Sequence, residues 1–150
     1  VLVLEVSGTP ASDTTLRLSP TARRVVVLRH GAPDDLTFAE VTFPAGAFGP
    51  RVSDSVEVTL RPRPGVYGLD VVTGVPLDSA RVTFKYAVHF DAPDAARTRF
   101  GNNFAYERAL AVGRLLPDGN VVFLPSTRPA SDNLSAVIPG AGSYIVGAPQ

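Results

Sequence analysis

The chain of 150 residues has no Cys, no Met and no Trp, only one Lys (Lys85) and two His, and its formal net charge is zero. Without Cys there is no disulfide framework, no thiolate metal site and no thiol nucleophile. The 14 basic and 14 acidic residues are dispersed rather than blocked, so no basic stripe is available to neutralise a phosphate backbone, and nucleic acid is not an expected partner. No apolar run approaches the roughly 20 residues of a membrane-spanning helix. Membrane association is then expected only through a partner or a lipid anchor. A chain that begins Val-Leu-Val-Leu-Glu-Val and lacks Met altogether points to residues removed upstream. The expectation is an exported protein, periplasmic or at the cell surface. Apart from Lys85 every basic residue is Arg, and Ala, Pro, Val and Gly abound, a composition typical of a GC-rich bacterial genome.

What the chain does have is alternation. Over residues 81–90, Val82, Phe84, Tyr86, Val88 and Phe90 share one parity, while Arg81, Thr83, Lys85, Ala87 and His89 share the other. Successive side chains of a strand point to opposite faces of its sheet, so this spacing predicts a half-buried strand that needs a second layer to cover five large apolar groups. At this length the chain forms one domain, large enough to bury about two-thirds of the surface its unfolded form exposes.

Further strands are predicted along the rest of the chain. Residues 1–6 are apolar on both faces, which suits a strand that is central in a sheet or paired with another chain. Short strands follow around Leu16 and Leu18 and over 23–29. In 36–43 the alternation slips from Leu36 and Phe38 to Val41 and Phe43, as a β-bulge near Ala39 and Glu40 would cause. Val56, Val58 and Leu60 mark another strand, and 66–72 another. Residues 91–101 read as the longest polar connection. Beyond it Phe104, Tyr106, Leu110 and Val112 restore a period of two and predict a strand, although 105–111 is rich in helix formers. Pro117-Asp-Gly-Asn120 is a turn before a strand over 121–124, and strands over 134–138 and 143–146 complete the set. Many short strands punctuated by Gly and Pro predict an all-β, antiparallel, immunoglobulin-like β-sandwich. One domain is expected over 1–150, with the core module in 23–147 and the strands of 1–22 as an amino-terminal extension.

Several stretches, in order, resemble one family. Phe43-Pro-Ala-Gly-Ala-Phe48 is followed by the strand over 55–61 and by the alternating Val, Thr and aromatic residues of 77–86. Then come the strand, Asp-Gly turn and strand of 110–124, Pro125-Ser-Thr127, Leu134-Ser-Ala136 and Ser143-Tyr-Ile-Val146. Together these resemble the bacterial relatives of the ZU-type β-sandwich module of ankyrins and netrin receptors, over residues 24–147. The resemblance implies a ZU-type sandwich acting as a non-catalytic structural or protein-interaction module of a bacterial envelope or extracytoplasmic complex. Val121 and Val122 stand where many bacterial members carry an aromatic residue, and Ala141-Gly142 where they have His-Phe. Lacking a His beside Ser143, the chain is not expected to share the self-cleavage of some animal relatives.

Chemistry-bearing candidates are few, and no catalytic residue and no cofactor is expected. Arg29-His30-Gly31 after an apolar run resembles the start of the histidine phosphatases, in which His attacks phosphorus and Arg binds phosphate oxygens. That family is α/β with a second essential His, whereas His89 lies on the polar parity of a strand, and His30 reads as a surface residue of a strand-ending turn. Asp91 and Asp94, near His89, are weak calcium candidates, as is the pair Asp34 and Asp35. Their spacing matches no EF-hand, and Asp in such contexts is ordinary turn chemistry. Ser126, Ser135 and Ser143 lack a nucleophile-elbow setting. The expected partner is a protein or a second copy, reached through the turn 44–50 and the connection 91–103. Interface candidates are Val1, Leu2, Val3, Leu4, Phe48, Arg97, Arg99, Phe100 and Tyr106. A self-assembling filament subunit, with 1–6 donated to a neighbour's sheet, is the alternative expectation.

Overall fold

A computed structural model of the chain describes residues 1–86 and 90–150, the side chains of Phe90 and Asp91 excepted. The first strands are β1 (Leu2–Val3), β2 (Glu5–Val6), β3 (Thr14–Leu18), β4 (Arg24–Arg29) and β5 (Thr37–Phe43). Next come β6 (Val56–Pro62), β7 (Gly68–Thr73), β8 (Ala80–Lys85) and β9 (Phe90–Asp91). Two short helices follow, α1 (Asp94–Phe100) and α2 (Asn103–Ala109). The chain closes with β10 (Ala111–Leu115), β11 (Val121–Phe123), β12 (Ser126–Thr127), β13 (Asn133–Ile138) and β14 (Gly142–Ala148).

Alternation is what makes these segments sheets. β6 buries Val56, Val58 and Leu60, β8 buries Ala80, Val82 and Phe84, and β13 buries Leu134, Ala136 and Ile138. Each strand thus presents one apolar face, which only a facing sheet can cover. One sheet runs β11-β10-β14-β7-β6-β3 with β1 also beside β14, and the other runs β12-β13-β8-β5-β4. Every pairing between strands is antiparallel. Their inner faces share one core, each large apolar side chain in it contributing about 1.5–3 kcal/mol. The chain is therefore an all-β antiparallel, sandwich-like domain. Within it Phe38 stacks on Tyr67 at 5.6 Å and meets Phe84 edge-on at 5.9 Å.

Strand β14 organises the first sheet. One of its edges carries β10, from Ser143↔Leu115 to Gly147↔Ala111. The other carries β7 over Gly142 to Ile145 and then β1 at Gly147 and Ala148. The two neighbours meet at Val146: its carbonyl accepts from Leu4 N, its own N–H donates to the Tyr67 carbonyl, and Tyr67 N donates to the Leu4 carbonyl. Leu2 and Leu4 are buried in the core, and the Tyr106 hydroxyl donates to the Leu2 carbonyl at 2.9 Å. Residues 1–6 are held by their own chain.

Four expectations need correction. The strand predicted over 81–90 ends at Lys85, and Phe90–Asp91 pairs instead with β2 in a separate two-stranded ribbon; Ala87, Val88 and His89 lie outside the described residues. The strand predicted around Phe104 and Tyr106 is α2. Its apparent alternation is accidental, because Tyr106 is fully buried and Phe104 is 65% exposed, which one strand face would not allow. The Asn102 side chain accepts from Ala105 N and caps the helix start, an arrangement worth about 1 kcal/mol. The polar connection 91–101 likewise contains α1, ended by Gly101 in the left-handed region at φ 82°. Finally, the bulge sits one residue earlier than predicted. Leu28 pairs with Ala39 but Arg29 with Thr37, so Phe38 is the extra residue, and consecutive Phe38 and Ala39 both enter the core.

Candidate functional site

His30 is not at the surface. It is 2% exposed, its Nδ1 lies 3.1 Å from the Thr9 carbonyl, and its ring meets Phe38 edge-on at 5.5 Å. The cause is parity: His30 continues the inward series Val26 and Leu28 of β4, whereas Arg29 belongs to the outward series. An imidazole so packed has no open approach to a phosphorus atom, and the neighbouring guanidinium points to the other side.

The interface candidates divide in the same way. Leu2, Leu4, Phe48 and Tyr106 are buried in the core, Val3 and Phe100 are half-buried, and Val1, Arg97 and Arg99 are exposed. Phe48 plugs the sandwich rather than facing solvent, stacked on Phe43 at 6.1 Å, while the Ala47 carbonyl beside it accepts from Asp78 N. Arg97 pairs with Asp94 one helical turn away, and the Arg99 guanidinium lies 5.2 Å from the centre of the Phe100 ring. Asp94 is exposed and Asp91 lies outside the described side chains. Among the described residues no three acidic, His or Cys side chains converge as metal ligands.

Helix α2 and the segment after β12 build a site that the sequence reading passed over. Phe104, Glu107, Arg108, Arg128 and Ser131 line a concavity of about 290 Å³. Phe104 and Arg108 stand one helical turn apart, and the guanidinium lies 5.4 Å from the centre of the ring, a pairing that holds an exposed aromatic in place. The opposite wall is tied to the core through Tyr86. Its hydroxyl donates to Glu107 Oε1 at 2.9 Å and accepts from Arg128 Nη1 at 2.5 Å. Arg128 Nη2 also donates to the Glu107 carbonyl. Burial, reinforced by the hydrogen bond to the Glu107 carboxylate and opposed by Arg128, pushes the Tyr86 hydroxyl up to about 12. At neutral pH it is a protonated clamp, not a base.

Charge at the rim is unbalanced. Among the described residues neither Arg108 nor Arg128 has a carboxylate within ion-pair distance, so two guanidiniums face one carboxylate already bound to a phenol. The only sequence signal for this surface was Phe104 and Arg108 at a spacing of four, legible once α2 is read as a helix. A second, shallower groove of about 490 Å³ lies between Val1, Val3, Arg63, Val66, Leu115, Val121 and Ile145, and Arg63 there is engaged with Asp70 at 2.7 Å. Comparison with protein-family models, with curated proteins and with solved structures found no match for this chain.

Proposed function

We propose that this chain is a non-catalytic β-sandwich module that binds a protein partner through the α2 face, in the extracytoplasmic setting expected from its sequence. One observation carries the reading. Among the described residues Phe104, at 65%, is the most exposed large apolar side chain, and it stands at a concave site flanked by two guanidiniums. Aromatic and Arg side chains are the residue types that anchor protein interfaces. A partner that inserts an apolar group against Phe104 and offers a carboxylate to Arg108 and Arg128 would cover the ring and balance the rim.

Support for a non-catalytic role comes from how the ionisable groups are used. His30 is packed in the core, and Tyr86, Glu107 and Arg128 bond to one another, which fixes the shape of the concavity and engages these four groups structurally.

A photo-crosslinking amino acid in place of Phe104, introduced in the cells that produce the protein, tests the reading against the same substitution at Val72, which is 46% exposed on the outer face of β7. Position 104 should yield one discrete protein adduct, lost in an Arg108→Glu, Arg128→Glu background, and position 72 should yield none. Equal adducts at both positions, or none at 104, would overturn it. Phe104→Ala should leave stability within about 0.5 kcal/mol of the parent, as befits an exposed side chain.

A further inference from the structure

We propose that β4 is an edge suited to strand addition by an extended segment of a partner protein that carries acidic residues at both ends of a short apolar run. β4 is the terminal strand of its sheet, and among the described residues it pairs along its length only with β5. Its carboxy-terminal end is covered by the chain itself: Ala11 bridges His30, and Gly31 N donates to the Pro10 carbonyl. The rest of the edge, from Arg24 towards Arg29, continues that line with no partner strand among the described residues.

Backbone direction follows from these bonds. His30 N donates to the Leu36 carbonyl, towards β5, and Gly31 N donates the other way. Bonding direction alternates along an antiparallel strand, so the N–H and C=O groups of Val25 and Val27 point away from β5. Their side chains are 37% and 40% exposed on the outer face of the sheet. An added strand would gain hydrogen bonds at these residues and apolar contact on one face.

Charge selects the occupant. Arg23, Arg24 and Arg29 are all exposed and have no carboxylate within ion-pair distance among the described residues. Glu40, opposite Val27, is the one acidic residue of β5, and the Asp35 carbonyl accepts from Arg29 Nη1 at 3.5 Å. A second copy pairing antiparallel through its own β4, with Val25 of one chain opposite Val27 of the other, would set Arg23 of one chain against Arg29 of the other, and like charges directly opposite destabilise a strand pair. An incoming strand with an acidic residue opposite each Arg reverses that sign. Arg24 and Arg29 are about 17 Å apart along the strand, so the matching segment has its acidic residues at the first and sixth positions.

The probe is the acetylated, amidated hexapeptide Glu-Thr-Val-Thr-Val-Glu, with Lys-Thr-Val-Thr-Val-Lys as its charge-reversed control, followed by amide NMR of the intact chain. The acidic peptide should shift and protect the Val25 and Val27 amides and bind about tenfold more tightly than the basic one, two opposite-sign contacts replacing two like-sign contacts. In the Arg24→Glu, Arg29→Glu variant the preference should invert. Val27→Pro removes an outward N–H from an edge strand, a position that tolerates proline, and should abolish binding while keeping the native spectrum elsewhere. Equal binding of both peptides, protection at other strands, or concentration-dependent protection of β4 without peptide, which would mean a second copy, each overturns the proposal.

Discussion

Alkaline titration probes the interior of this fold unusually cleanly. All four tyrosine hydroxyls donate to protein acceptors: Tyr67 to the Tyr86 carbonyl, Tyr86 to Glu107, Tyr106 to the Leu2 carbonyl and Tyr144 to the Gly140 carbonyl. Burial is the first cause that raises all four above the ordinary tyrosine value of 10.0, Tyr86 to about 12. A group whose pKa is raised by folding stabilises the native state fully below its unfolded value, and this stability is lost as pH rises through the folded value. Tyr86 alone therefore forfeits about 2.7 kcal/mol between its ordinary value and a pH above its folded one. With all four protonated in the native state the loss steepens to about 5 kcal/mol per pH unit just above pH 10, so a domain at the low end of the usual range, about 5 kcal/mol, exhausts its stability about one pH unit higher. Little else titrates there, since Lys85 is the only lysine and the arginines stay charged. Tyrosinate absorbance and far-ultraviolet ellipticity followed in one titration should change together, in a single cooperative step. Tyrosinate forming stepwise near pH 10 with ellipticity retained would refute the reasoning.

Two further outcomes follow from the packing. Tyr86→Phe removes the clamp between Glu107 and Arg128 but leaves both charged groups near water, so it should cost about 1–2 kcal/mol in denaturant unfolding at neutral pH and about 2–4 °C in Tm per kcal/mol; a loss above about 4 kcal/mol would mean the pair is more deeply desolvated than its exposure allows. Leu4→Ala empties a fully buried position where β1, β7 and β14 meet and should cost about 2–5 kcal/mol, whereas a change below about 0.5 kcal/mol would show that residues 1–6 add nothing to the isolated chain.

The sheets were legible because alternation is a local property. Val56, Val58 and Leu60, or Val82 and Phe84, reveal their inner face without reference to any partner. Tyr86 was read correctly as inward, but its neighbour Lys85 ends β8, and no local pattern marks where a strand leaves its sheet. For α2 the pattern misled: Phe104 and Tyr106 imitate a strand, while the deciding contact is the Asn102 cap on Ala105 N. Burial of His30 escaped notice because its covering atoms come from Thr9 and Phe38, neither adjacent in sequence. The candidate site was the least legible part. Tyr86 and Arg128 are 42 residues apart, and only the folded path of the chain makes them neighbours.

The position of β14 has a kinetic consequence. It is the last strand in the sequence, and it pairs with β10, β7 and β1, so the first strand cannot dock until the last one exists. Pairings of such wide sequence separation close late and fold slowly. During that interval Leu2 and Leu4 have no β14 to cover them. Until residues 142–148 are in place, any strand offered by a neighbouring chain competes with β14 for β1.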